Sequence, residues 1–187
     1  MELQDSIRLP FSNPVFDFDV LGEQEDQKKL LMFAYPKERL QDFMRVFDKV
    51  GLNPKVADLS FLSLYRLYYQ LDTPAAEDHL LLVQWNKDAI VLTAFHQHKP
   101  MFTRYVKSPV DPKTWILKND DWSWSGSEQE LVGVAEEQLV TVERFMDFYQ
   151  YSLMDGEAQF TKVLLFGDFP NLAQISKQID ERNNITV

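Results

Sequence analysis

The chain contains no cysteine. Disulfides, thiolate metal ligands and cysteine nucleophiles are thereby excluded, and a reducing compartment is the natural expectation. Glycine is scarce as well, at 6 of 187 residues, against a usual share of roughly 7%. Loops that cradle nucleotide phosphates need glycine so that backbone N–H groups can approach closely, and neither G-x-x-x-x-G-K-[ST] nor G-x-G-x-x-G occurs here. Basic residues are outnumbered, 19 Lys and Arg against 29 Asp and Glu, for a net charge of -10 and a pI near 4.7. Such a surface repels nucleic acid and anionic lipid, so a protein partner carrying basic residues is the easier expectation. The longest apolar runs, Leu30 to Tyr35 and Val163 to Phe166, fall far short of the roughly 20 residues of a membrane helix. The opening MELQDSIRLPF lacks the basic and apolar regions of a secretory signal. A cytoplasmic protein, without direct membrane insertion, is expected.

What is present is a substantial apolar fraction, 45%, enough for a real core. Phe16-Asp17-Phe18-Asp19-Val20-Leu21 alternates like a half-buried strand, and Leu30 to Ala34 reads as a second. Pro36 suits a helix start; Leu40, Phe43, Met44, Phe47 and Val50 then recur at helical spacing until Gly51. Lys55 to Leu59 reads as a third strand, and a short helix with Phe61, Leu64, Tyr65 and Tyr68 follows. Residues 1–71 thus form a small α/β subdomain, 72–78 a linker rich in proline and acidic or small residues, and 79–187 a second lobe.

That lobe opens with three strands, Leu80 to Trp85, Ala89 to Phe95 and Met101 to Val106. Lys107 to Gly126 reads as irregular, with three tryptophans and the pair Asp120-Asp121. Ser127-Glu128-Gln129-Glu130 fits a capping box for a long helix whose apolar face includes Leu131, Leu139, Val142, Phe145 and Tyr149. Lys162 to Phe166 is a buried strand, Gly167-Asp168-Phe169-Pro170 a turn, Leu172 to Glu181 a helix, and Ile185 to Val187 a last extended piece.

Few residues suggest chemistry. His96 and His98 form an H-x-H pair of the kind that can share a metal, but no third ligand lies nearby in sequence, and solvated turn histidines are the expectation. Asp17/Asp19 and Asp120/Asp121 are paired carboxylates without a visible cleft. No G-x-S-x-G is present. Gly167 occupies a strand-to-helix turn of the kind a ligand can approach, and relief of a tight turn is the expectation for it. Trp115, Trp122 and Trp124 read either as a peptide-binding surface or as plugs that fix an irregular loop on the sheet.

With these residues laid out, the chain resembles the PilM family of type IV pilus assembly proteins, actin-like proteins related to FtsA. The resemblance runs from near Ile7 to Val187. Ile7-Arg8-Leu9-Pro10-Phe11 with Phe16 to Leu21 is similar to the family's "yIPf…DyqvL". Phe33-Ala34-Tyr35-Pro36-Lys37 and Val50 to Asp58 are similar to "vaApKe…aGL.pk.vD". Lys99 to Arg104 is similar to "g.p.ftRei", and Glu130 to Tyr149 to "l..Ei.rslefy". Val163 to Leu172 takes the place of "i.LtGGga.l.gL".

The resemblance implies a partial actin-like, ribonuclease H-like fold: an actin-like lobe plus a small inserted α/β subdomain. It also exposes departures. Where nucleotide-binding relatives carry Asp-x-Gly in the first hairpin of the second lobe, Gln84-Trp85-Asn86 stands here; Gly167-Asp168 replaces their paired glycines. The bulk of Trp85 is expected to obstruct a phosphate. The family's N-terminal subdomain, with its "GlDiGs" loop, would precede Met1. The implied role is therefore a non-catalytic cytoplasmic scaffold with no cofactor, peripheral to the inner membrane through its partners. It would bind the tail of a PilN-type inner-membrane protein, with a pilus assembly ATPase as a further partner. Phe16, Phe18, Trp115, Trp122 and Trp124 are the candidate partner-binding residues. Two alternatives remain open: an actin-like ATPase completed by a further subdomain, and a GspL-like cytoplasmic domain of type II secretion.

Overall fold

The computed structural model describes residues 9, 11–24, 27–119 and 121–187. Ile7, Arg8, Pro10 and Asp120, named above, lie outside these. The fold is mixed α/β, and the chain divides into two compact units, Met1–Leu59 and Ser60–Val187. The division thus falls ahead of the 72–78 segment read as a linker.

In the first unit, strands β1 (Pro14–Gln24) and β2 (Gln27–Pro36) form an antiparallel hairpin with Phe16 opposite Ala34, Phe18 opposite Met32 and Val20 opposite Leu30. Opposed residues of such a pair share a face, so these six apolar side chains lie together. Asp17 and Asp19 lie on the other face with Phe33 and Leu31. Helix α1 (Lys37–Lys49) follows directly, with Pro36 one position earlier than expected, as the N-cap, where its missing N–H costs nothing. Gly51, at φ 71°, ends the helix. The N–H of Leu52 reaches Phe47 O and that of Gly51 reaches Asp48 O, closing the last turn in a Schellman pattern.

The expected third strand at Lys55 to Leu59 is absent: these residues pair with no strand. The alternation of apolar residues there does not correspond to burial, since Val56 is 81% exposed.

In the second unit, β3 (His79–Trp85), β4 (Ala89–His96) and β5 (Lys99–Lys107) form the expected meander. Strand β8 (Lys162–Phe166) joins parallel to β3, giving the order β5-β4-β3-β8. Thr186 makes an isolated parallel bridge to Lys162 at the outer edge.

Helix α3 (Glu128–Phe148) and helix α4 (Leu172–Asn183) bury their apolar residues against Leu81, Val83, Trp85, Ile90, Leu92 and Val163. Leu139, Val142, Phe145 and Tyr149 supply the helical side of this core, as the spacing predicts. The capping box at Ser127 and Glu130 is complete.

Helix α2 (Ser60–Asp72) is longer than expected. Its Tyr65 stacks on Phe95 at 4.1 Å, and its Ser60 hydroxyl donates to Gln84 Oε1 at 2.9 Å. Gln84 and Phe95 alternate with the core-facing residues of β3 and β4, so α2 covers the opposite face of the sheet. The result is a helix–sheet–helix sandwich.

The region 107–126 is more regular than its sequence suggests. After a 3-10 turn at Pro112–Thr114, β6 (Trp115–Lys118) and β7 (Asp121–Trp124) form a short hairpin. Its pairs include Trp115 opposite Trp124 and Leu117 opposite Trp122. Bulky cross-strand pairs of this kind hold a hairpin whose polar residues mask the strand pattern.

Candidate functional site

The β3–β4 turn and the turn after β8 are adjacent at one end of the second unit's sheet. After β3 the chain reverses tightly, with Asn86 N–H donating to Ala89 O at 2.9 Å. After β8 it passes through Gly167, whose φ of 141° only glycine adopts freely. A Cβ at Gly167 would lie 1.9 Å from the Trp85 carbonyl oxygen. The close approach that glycine permits is thus made by the protein's own backbone, and Phe169 N–H donates to that same oxygen at 3.2 Å.

Asp168 then bridges the two turns. Its carboxylate accepts from the Lys87 backbone N–H and from the Lys87 ammonium, both at 2.8 Å. Partial burial pushes the Asp168 carboxyl up, but the two Lys87 hydrogen bonds and the lysine charge outweigh it, and the net direction is below the ordinary value. The Lys87 ammonium also lies 4.7 Å from the centre of the Trp122 ring, a cation–π distance. One backbone N–H and one ammonium, a pair suited to an anion, are thus both engaged by an internal carboxylate.

The obstruction expected from Trp85 takes a different form. Its indole is fully buried and packs beside Phe169 at 5.8 Å. Asp168 and Lys87, not the Trp85 side chain, occupy the outside of the turns.

The three tryptophans of β6 and β7 divide. Trp115 is 6% exposed and packs edge-on to Trp124 and Phe169, so it plugs the hairpin onto the core. Trp122 is 48% exposed beside Lys87. Trp124 is half-buried, its indole N–H donating to Ser127 O at 2.9 Å. It lies against an open groove of about 380 Å³ between the 109–114 segment and α3, with Val110 and Val134 also lining it.

Phe16 is half-buried and Phe18 is 62% exposed on the apolar face of the first unit's hairpin. Along α1 and at its C-cap, Phe43, Val46, Phe47 and Val50 are exposed as well.

The histidines are not simply solvated. His96 stacks on His79 at 4.0 Å, and His79 Nδ1 lies 2.6 Å from the Tyr149 hydroxyl. Burial pushes the Tyr149 phenol up to about 12, which keeps its proton available to this contact. The same burial, reinforced by the His96 charge and opposed by Asp78, lowers His79. His98 and Gln97 both have positive φ in the β4–β5 turn, and the His98 ring is held by the Tyr65 hydroxyl at 2.9 Å. Among the described residues no group of three or more His, Cys, Asp or Glu is placed to hold a metal.

Sequence reasoning named Gln84, Trp85, Asn86, Gly167 and Asp168 but missed Lys87 as their partner. Its only signal was opposite charge in two turns 81 residues apart.

No family model matches the sequence, and no curated protein matches it. Among solved structures, the chain is similar to a chain of the PilM-PilN type IV pilus biogenesis complex, with a TM-score of 0.68 and 15% identity. The match covers 95% of this chain and 56% of that one, so the protein spans little more than half the length of its structural relative. The fold is therefore PilM-like. Among the described residues no helix is long and apolar enough to cross a membrane.

Proposed function

We propose that the chain is a non-catalytic docking scaffold in type IV pilus biogenesis or a related assembly system. It holds the cytoplasmic tail of a PilN-type inner-membrane protein, and through that partner sits at the inner membrane and couples to an assembly ATPase. The observation that carries the non-catalytic reading is the closure of the two turns by Asp168, whose carboxylate engages the Lys87 N–H and ammonium. A nucleotide phosphate would have to displace an intramolecular carboxylate whose attachment costs no association entropy. The likeness in fold to a chain of a PilM-PilN complex supports the choice of partner. The exposed Phe18 and α1 side chains supply an apolar surface for it.

Two measurements on the purified chain test this reading. Mg-ATP should leave the melting temperature unchanged, since only a ligand that binds the native state raises it. A synthetic PilN-type N-terminal peptide should bind saturably by calorimetry. A clear shift with Mg-ATP favours the ATPase reading, and absence of peptide binding removes the partner assigned here.

A further inference from the structure

The groove beside Trp124 is distinct from the first unit's apolar surface and from the Asp168 latch. Its apolar part is Val110, Val134 and the Trp124 ring. Its polar lining includes the carboxylates of Asp111, Glu130 and Glu137, with no lysine or arginine among the described lining residues. Glu130 uses Oε2 for the Ser127 cap, and Asp111 uses Oδ1 for the Lys113 N–H. Each carboxylate thus keeps charge to offer a second group.

Gly133 gives an independent sign that the groove is kept open. It lies inside α3 and lines the groove, yet a Cβ there would meet nothing within 4 Å. Its helical backbone has no positive φ that calls for glycine. An interior helical glycine is less favourable than alanine, and neither a close neighbour nor a positive φ calls for one here. What glycine does provide is an unobstructed floor.

We propose that this groove docks a short basic and aliphatic segment of a protein partner. An aliphatic or proline side chain lies over Gly133 against the edge of Trp124, while a neighbouring lysine or arginine is held by Glu137 with Glu130 and Asp111. Charge selects this occupant: three carboxylates line the groove in a chain whose net charge is -10. The same charge opposes a second copy of the chain. A peptide is the matching shape, because about 380 Å³ of open groove admits a few side chains and leaves the backbone at the surface.

The test uses the full chain and two short fluorescein-labelled peptides followed by anisotropy. One alternates arginine with leucine around a central proline; the other has glutamate in place of arginine. Gly133→Leu, which fills the floor, and Glu137→Lys, which reverses the rim, are the variants. The basic peptide should bind the native chain saturably and the acidic one should not. Each variant should weaken binding about tenfold or more, while Gly133→Leu melts no lower than the native chain because it relieves an exposed helical glycine. Absence of saturable binding to the native chain would overturn the proposal. So would binding to both variants as tight as to the native chain, which marks general attraction to an acidic surface, or self-association of the native chain that either variant abolishes. If Gly133→Leu loses the fold, Glu137→Lys alone decides.

Discussion

The two units treat apolar side chains in opposite ways. In the second, Leu81, Val83, Trp85, Ile90, Leu92, Val142, Phe145 and Tyr149 are all less than 1% exposed, and helices cover both faces of the sheet. In the first, no described residue is fully buried, and Phe18, Phe43, Val46 and Val50 are each more than half exposed. The sequences are similarly apolar; what differs is the number of layers. Four strands with helices on each side enclose a core, whereas one hairpin and one helix cannot close around theirs. The first unit therefore retains hydrophobic free energy that only another surface can release. The second closes its sheet between helices, and a carboxylate joins its two turns.

Substitutions should separate the units sharply. The largest effect is expected from Gly167→Ala, which forces a Cβ to within 1.9 Å of the Trp85 carbonyl at a φ of 141°. A loss of about 3 kcal/mol or more is predicted, a fall of roughly 10 °C in melting temperature. Leu81→Ala should cost about 3 kcal/mol in urea unfolding, because Leu81 is fully buried. Phe43→Ser should change stability by less than about 0.5 kcal/mol, since Phe43 is 57% exposed. Comparable losses at Leu81 and Phe43 would break the contrast.

Asp168→Asn is a smaller perturbation. Lys87 and Asp168 side chains are 21% and 49% exposed, so screening limits the loss to roughly 1 kcal/mol, less at high salt. Because the folded carboxyl lies below its ordinary value, its contribution is present above the unfolded value of about 3.9 and disappears as pH falls through the lower folded value. Asp168→Asn should flatten the stability profile in that acid range.

The smallest effect concerns His79. Its folded pKa is lowered by burial first and by His96 second, so the unfolded chain takes up protons more readily. Stability should therefore be complete above the ordinary imidazole value of 6.5 and decline as pH drops below it. His79→Asn should reduce that slope, as read from melting temperatures across pH 5 to 8.

Much of the fold was legible because periodicity and caps are local signals. The meander β3-β4-β5, the Ser127–Glu130 capping box and the α3 face all follow from spacing. Lys55 to Leu59 was misread because alternation shows capacity to pair, while a strand also needs a neighbour. The β6–β7 hairpin was missed because its tryptophan pairs sit among polar residues. At the candidate site, Gly167 and Asp168 stood out because the resemblance to the PilM family led to an expectation of paired glycines there. Lys87 did not, since its role exists only once β3 and β8 run side by side. The groove at Gly133 was invisible for a similar reason: a glycine's empty surroundings are a property of the folded surface.

Hydrogen exchange followed by mass spectrometry, with and without a PilN-type tail peptide, tests the central claim most directly. Alone, amides of β1, β2 and α1 should exchange far faster than those of β3, β4 and β8, and the peptide should slow only the first group. Equal protection of both units in the free chain, or a peptide that protects neither, would contradict the view that the first unit is an unfinished surface made for docking.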